Sequence, residues 1–184
     1  MLLVGDSITV NYQDVAAWEL GARGYQVIRA GIPGASLLDV DICGGAYAKD
    51  LLKMVDPDVV VFENNGNYGA RRGVAVCRPT VYGSDVWLRR WRNAAALNQR
   101  ILERRRAHFI WVQAPSVKME PKAAVVPKLN AIYENLGDTA DAWTEFGDET
   151  FDPSLRYDDQ HLNESGAQLM TDVVVDAVTD PATP

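Results

Sequence analysis

The sequence predicts a three-layer α/β/α sandwich built on a mainly parallel, five-stranded sheet. Five short apolar runs, rich in β-branched residues, recur at positions 2–4, 26–30, 58–62, 109–113 and, more faintly, 139–143. Stretches with apolar residues at helical spacing separate them. The runs are continuous rather than alternating polar and apolar, as strands read when helices cover both faces of a sheet.

Taken in order, Val15, Trp18 and Ala22 mark a first helix after the opening strand, and Tyr47, Leu51, Leu52 and Val55 a second before the third strand. Trp87, Trp91, Ala94, Ala95, Ile101 and Leu102 space out a long third helix, with Ser84 placed to cap its free first-turn N–H groups. Leu129, Ile132, Tyr133 and Leu136 form a fourth stripe beginning near Pro127, and Leu169, Met170, Val173, Val174 and Ala177 a last one. In such sheets functional groups gather at the carboxyl ends of the strands, so the loops of interest begin near residues 5, 31, 64 and 114.

A chain of 184 residues is the size of one domain and can bury a core without metals or disulfides. No repeat, low-complexity tract or linker interrupts it, so residues 1–179 read as a single domain and 180–184 as a short tail. With 47% hydrophobic and 23% charged residues the composition is globular, and a formal net charge of −7 argues against a surface that tracks nucleic-acid phosphates. The arginine-rich run at 100–106 falls at the end of a predicted helix, where cations complement the dipole. No apolar run approaches the roughly 20 residues that cross a bilayer. The opening Met1-Leu2-Leu3-Val4 is too short for a signal-peptide core, and loss of an upstream segment would fit a chain that starts on a strand. Cys43 and Cys77 fall in predicted loops, where they pair in an oxidising compartment or stay free thiols; pairing would favour export. Neither has the CxxC spacing or neighbouring histidine of a zinc site or a cysteine nucleophile.

Chemistry is concentrated at the two ends of the chain. Gly5-Asp6-Ser7 follows the first strand and places Ser7 at the sheet edge, near a helix N-terminus whose unpaired N–H groups favour a forming anion. Taken alone, the triplet reads as a helix cap. A serine needs a base, and the chain holds only His108 and His161. His108 opens a buried strand with Glu103 its one nearby acid, and reads as structural or exposed. His161 lies in Tyr157-Asp158-Asp159-Gln160-His161-Leu162 just before the last helix. Asp158 can fold back onto Nδ1, fixing the tautomer that leaves Nε2 free to take a serine proton.

Acyl transfer also requires donors for the oxyanion. Ile32-Pro33-Gly34-Ala35-Ser36 carries a glycine that lets backbone approach a substrate oxygen, and Glu63-Asn64-Asn65-Gly66-Asn67-Tyr68 carries three side-chain amides. Turn formation is the plainer reading of each.

Together these segments resemble the SGNH hydrolase (GDSL-like lipase/esterase) family, whose blocks bear a nucleophilic Ser, an oxyanion Gly, an oxyanion Asn and a DxxH. Gly5-Asp6-Ser7-Ile8, Gly34 and Asp158-Asp159-Gln160-His161-Leu162 match in family order across most of the chain, with Gly166 fitting the helix after the last block. The third block departs from Gly-x-Asn-Asp. The family's strand length, counted from Pro57-Asp58, aligns Asn67 with the oxyanion asparagine and leaves Asn65, the second choice, where glycine is usual.

The resemblance implies a flavodoxin-like sandwich and a serine esterase acting on small acyl, notably acetyl, esters, those of carbohydrates among them. Ser7, Asp158 and His161 would be catalytic, and the Ser7 and Gly34 N–H groups with the Asn67 amide would form the oxyanion hole. Asp6 would stabilise the turn. No cofactor or metal is expected. The substrate would be a small-molecule or glycan ester, with Tyr68, Tyr82 and Arg71 as contacts; Arg72 and Arg78 are weaker candidates, and Trp87 belongs to the core by its spacing. Three alternatives stay open: an O-acyltransferase acting on a glycan, a glycan-binding scaffold without turnover, and a metal phosphoesterase using Asp6, Asn67, Asp158 and His161.

Overall fold

The computed structural model describes residues 1–68 and 74–180. Five strands, β1 (Leu2–Gly5), β2 (Ile28–Gly31), β3 (Val59–Glu63), β4 (His108–Val112) and β5 (Asp138–Ala140), form one parallel sheet in the order β2-β1-β3-β4-β5. Their side chains divide by parity. Leu2, Val4, Val60, Phe62, Phe109 and Trp111 enter one apolar core, and Leu3, Val61, Ile110 and Val112 the other. Both faces are therefore covered, which is why the runs read as continuously apolar.

The first core is closed by α2 (Val40–Cys43), α3 (Ala46–Met54), α4 (Asp85–Leu102) and α5 (Val126–Glu134). The second is closed by α1 (Ser7–Ala22), α6 (Ala142–Glu145) and α7 (Glu164–Thr179), with α1 and α7 packed on each other. Ser84 caps α4 as expected, accepting from the Trp87 N–H at 3.3 Å. Among the described residues no helix is long and apolar enough to cross a membrane.

Three local expectations change. The second strand runs from Ile28 to Gly31 rather than from residue 26. The fifth ends at Ala140, because Asp141 caps a short helix, accepting from the Thr144 N–H, where the strand was expected to continue. The first helix starts at Ser7 and buries Ile8, Tyr12, Ala16 and Leu20; Trp18, placed on the apolar stripe by its spacing, is 76% exposed.

The order of strands sets the position of the site. The chain leaves β1 toward β2 on one side and leaves β3 toward β4 on the other, so the loops after β1 and β3 part at the carboxyl edge and leave a crevice. Gly5 brings the turn after β1 hard against β3. A Cβ there would stand 1.9 Å from Thr9 Oγ1 and 2.4 Å from the Glu63 carbonyl oxygen, an atom held in the sheet. Gly5→Ala is expected to remove about 3 kcal/mol of stability, lowering the melting temperature by roughly 6–12 °C. An unshifted calorimetric transition would contradict this packing.

Candidate active site

The turn after β1 is organised by carboxylates below the helix start. Asp6 caps α1, its Oδ1 accepting the Ile8 N–H at 2.9 Å, while Glu63 from the end of β3 accepts the Thr9 N–H at 3.2 Å and the Thr9 hydroxyl at 3.0 Å. Two first-turn donors of α1 are thus consumed. The Ser7 N–H, like that of Gly34, has no acceptor among the described residues, and Gly34 takes up a left-handed φ of 72°. Ser7 itself is half-buried at the mouth of the crevice.

The segment before α7 supplies the second half. Arg156 and Leu162 form an antiparallel bridge, the Tyr157 N–H donates to the His161 carbonyl at 3.1 Å, and Asn163 caps α7 by accepting from Gly166. Gly166 is needed there, since a Cβ would stand 2.1 Å from the Leu155 carbonyl oxygen. The Leu162 N–H donates to Asn11 Oδ1 at 3.2 Å, which ties this loop to α1 four residues from Ser7. Arg156 is buried beneath it, donating to the Ser116 carbonyl at 3.1 Å with its guanidinium over the Phe146 ring. Burial lowers its pKa to about 10.

The two halves meet. His161 Nε2 lies 3.0 Å from Ser7 Oγ, and His161 Nδ1 lies 2.7 Å from Asp158 Oδ2. Asp158 Oδ1 accepts the Gln160 and His161 N–H groups at 2.8 and 2.6 Å. Slight burial pushes the Asp158 carboxyl up, but these bonds and the imidazole outweigh it and hold the group below the ordinary carboxylate range. An anionic Asp158 on Nδ1 assigns that nitrogen its proton and leaves Nε2 the acceptor for the serine. Tyr157, 63% exposed, stacks on the imidazole at 5.5 Å between centroids.

The loop after β3 lies against the same turn. Asn67 Nδ2 donates to Asp6 Oδ2 at 3.0 Å and to the Ala35 carbonyl at 2.7 Å, which joins the β1, β2 and β3 loops. The Asn65 N–H also donates to Asp6 Oδ2, at 3.1 Å, whereas the Asn65 side-chain nitrogen is buried without an acceptor. Asn64 faces away from solvent, donating to the Ala35 carbonyl at 3.3 Å. Asp6 is therefore the turn-stabilising residue expected from the sequence.

The remaining sequence candidates divide. Tyr68 and Tyr82 stack at 4.4 Å, but the Tyr82 hydroxyl donates to the Gly66 carbonyl and that of Tyr68 to the Glu120 carbonyl, so both brace loops. Trp87 is core. Arg78 takes a left-handed φ of 50°, and its carbonyl accepts from Arg90. Arg71 and Arg72 lie outside the described residues. His108 is far from the crevice at the start of β4; its partner is Asp138 at 2.8 Å rather than Glu103, because parallel pairing sets β5 alongside. Cys43 and Cys77 form a disulfide that joins the end of α2 to the segment after the β3 loop. Among the described residues no group of three or more His, Cys, Asp or Glu is arranged to hold a metal ion.

Sequence reasoning passed over Glu63, Lys122 and Gln160. All three are buried beneath the crevice. An acid ending an otherwise apolar strand was a readable signal for Glu63; Lys122, in Met119-Glu120-Pro121-Lys122, reads as an ordinary solvated loop lysine. Burial first, and then the Asp6 charge, push the Glu63 carboxyl well up, favouring its neutral form. Its contact with the Asp6 carboxyl is a hydrogen bond only when one of the two acids holds a proton.

A parallel sandwich with this block order, and a serine, histidine and aspartate joined at its carboxyl edge, has the fold of the SGNH, GDSL-like hydrolases. Solved structures share this fold. A lipase/acylhydrolase from Enterococcus faecalis superposes with a TM-score of 0.70 at 19% identity, covering 96% of this chain and 93% of that one. An acetyl xylan esterase, AlAXEase, gives 0.73 at 18% identity over 96% and 98% of the two chains. A GDSL-like lipase from Bacteroides thetaiotaomicron gives 0.67 at 16% over 96% and 86%. No protein-family model and no curated protein matches the sequence.

Proposed function

We propose that this chain is a serine esterase that hydrolyses small acyl esters, acetyl groups on carbohydrate foremost, through an acyl-Ser7 intermediate. The observation that carries the reading is the unbroken relay from Asp158 Oδ2 through both ring nitrogens of His161 to Ser7 Oγ. His161 Nε2 takes the hydroxyl proton as Ser7 Oγ attacks the ester carbonyl, then gives it to the departing alkoxide as the C–O bond breaks. A water next yields a proton to His161 and attacks the acyl carbon. Ser7 recovers that proton as the carboxylic acid leaves.

Developing charge on the carbonyl oxygen is met by the free N–H groups of Ser7 and Gly34 and by Asn67 Nδ2. Both Asn67 amide hydrogens have protein acceptors, so serving the oxyanion means giving up the Ala35 carbonyl. Asp6 keeps the other and holds the amide in place. Acetyl transfer to water suits an open site whose described flank is the exposed Tyr157 ring, a surface on which a sugar face can stack. The acetyl xylan esterase among the structural neighbours fits the same reading. Residues 1–179 act as one domain in it, and the Cys43–Cys77 bridge suits an oxidising compartment.

Incubation with a fluorophosphonate, followed by peptide mapping, is expected to place one adduct on Ser7; a protein left unmodified would refute the serine mechanism. Asn67→Ala should lower kcat on a short p-nitrophenyl ester by roughly 10²–10³. An unchanged kcat there, with that loss appearing in Asn65→Ala, would move the oxyanion role to Asn65.

A further inference from the structure

Lys122 is a fully buried cation beneath the crevice and belongs to none of the motif blocks. Its Nζ donates to Asn65 Oδ1 at 2.6 Å, Gln160 Oε1 at 2.9 Å and Asn67 Oδ1 at 3.1 Å. Three hydrogens meet three carboxamide oxygens. An ammonium is donor-only, whereas a carboxamide is nearly symmetric in shape and accepts at one end and donates at the other. Each of these amides is therefore forbidden to turn over, because a flip would set an NH2 group against the ammonium with no acceptor between them.

The consequence differs on the two sides. For Asn67 the oxygen is held inward and the NH2 is delivered to Asp6 Oδ2 and the Ala35 carbonyl, beside the Ser7 turn. For Gln160 the NH2 is turned toward His161 Nε2, at 3.4 Å. A donor facing Nε2 disfavours a proton there, which is the same tautomer that Asp158 imposes from the other side of the ring. One cation thus orients the oxyanion loop after β3 and the histidine loop before α7.

We propose that Lys122 is a positioning residue for ester hydrolysis, locking the carboxamides of Asn67 and Gln160 in the single orientation that serves both the oxyanion and the base. Its charge is supported where it lies. Burial lowers the ammonium below the ordinary lysine range, and the Asp6 and Glu63 carboxyls offset only part of that depression. Burial raises both the Asp6 and the Glu63 carboxyl, so that a single proton held between the pair would leave one carboxylate to balance the Lys122 ammonium.

The proposal rests on the serine esterase reading and is tested separately from it. Lys122→Met keeps an unbranched apolar side chain one bond shorter and removes every donor; Lys122→Gln is as short as Met and retains an NH2 with two donor hydrogens. On a short p-nitrophenyl ester, Lys122→Met is expected to lower kcat on the order of 10–100-fold with KM changed less than about threefold, since misplacing groups by an ångström is enough for such a loss. Lys122→Gln should recover at least about threefold of it. The deciding measurement is the cycle with Asn67→Ala. Because Lys122 acts through Asn67 and Gln160, its removal in that background should lower kcat, and the rate of fluorophosphonate labelling, by at least about threefold less than it does in the wild type, only the Gln160 part remaining. A loss that stays fully multiplicative, an unaltered kcat in Lys122→Met, or loss of the near-ultraviolet circular dichroism of both variants would each overturn the positioning role. Activity that survives Ser7→Ala would instead count against the esterase reading.

Discussion

Ser7→Ala is expected to lower kcat on a short p-nitrophenyl ester by roughly 10⁶-fold and to abolish fluorophosphonate labelling. The side chain it removes has one described partner, His161 Nε2, and sits half-buried at the crevice, so the fold should survive with an unchanged melting temperature. The backbone of the turn does not depend on that hydroxyl, because Asp6, Glu63 and the close fit of Gly5 fix it independently. What remains should be the slow reaction that oxyanion donors alone support. Undiminished turnover in a folded Ser7→Ala protein would place the nucleophile elsewhere.

Asp158→Asn is expected to lower kcat by roughly 10⁴-fold. The Asn oxygen can still accept the Gln160 and His161 N–H groups, so the loop keeps its shape. Its NH2 then faces Nδ1, which must become an acceptor, and the ring proton moves to Nε2, where it blocks transfer from Ser7. A loss of tenfold or less would mean that the carboxylate does not set the tautomer. A pH signature follows. The Asp158 carboxyl is depressed in the folded protein, so its contribution to stability is complete above the ordinary carboxylate pKa and is lost as pH falls through the folded value. The gap in melting temperature between wild type and Asp158→Asn should therefore narrow below about pH 4. A gap that widens toward acid would reverse the sign of the shift.

The strands were legible because apolar runs of four or five residues covered on both faces have few other readings. Trp18 was misplaced because periodicity locates a stripe only relative to a helix start, and the start was set by Asp6 capping at Ser7, eight residues before the stripe that marked it. His108 reads from the sequence as structural or exposed, but the acid it meets is not legible there. Glu103 is near in sequence, but Asp138 is brought alongside by the pairing of β4 with β5.

The chain alone determined its layered architecture, the order of the motif blocks and the residue types available for the chemistry, because these depend on local periodicity and on identities at fixed spacing. Tertiary structure decided which groups meet. Ser7 and His161 stand 154 residues apart and become neighbours only because α1 and α7 pack on one face of the sheet and Asn11 ties their loops together. Lys122 carries no motif. Its charge acquires a role only when folding strips it of water and offers three amide oxygens in return, and that exchange is a property of the assembled crevice rather than of any segment in it.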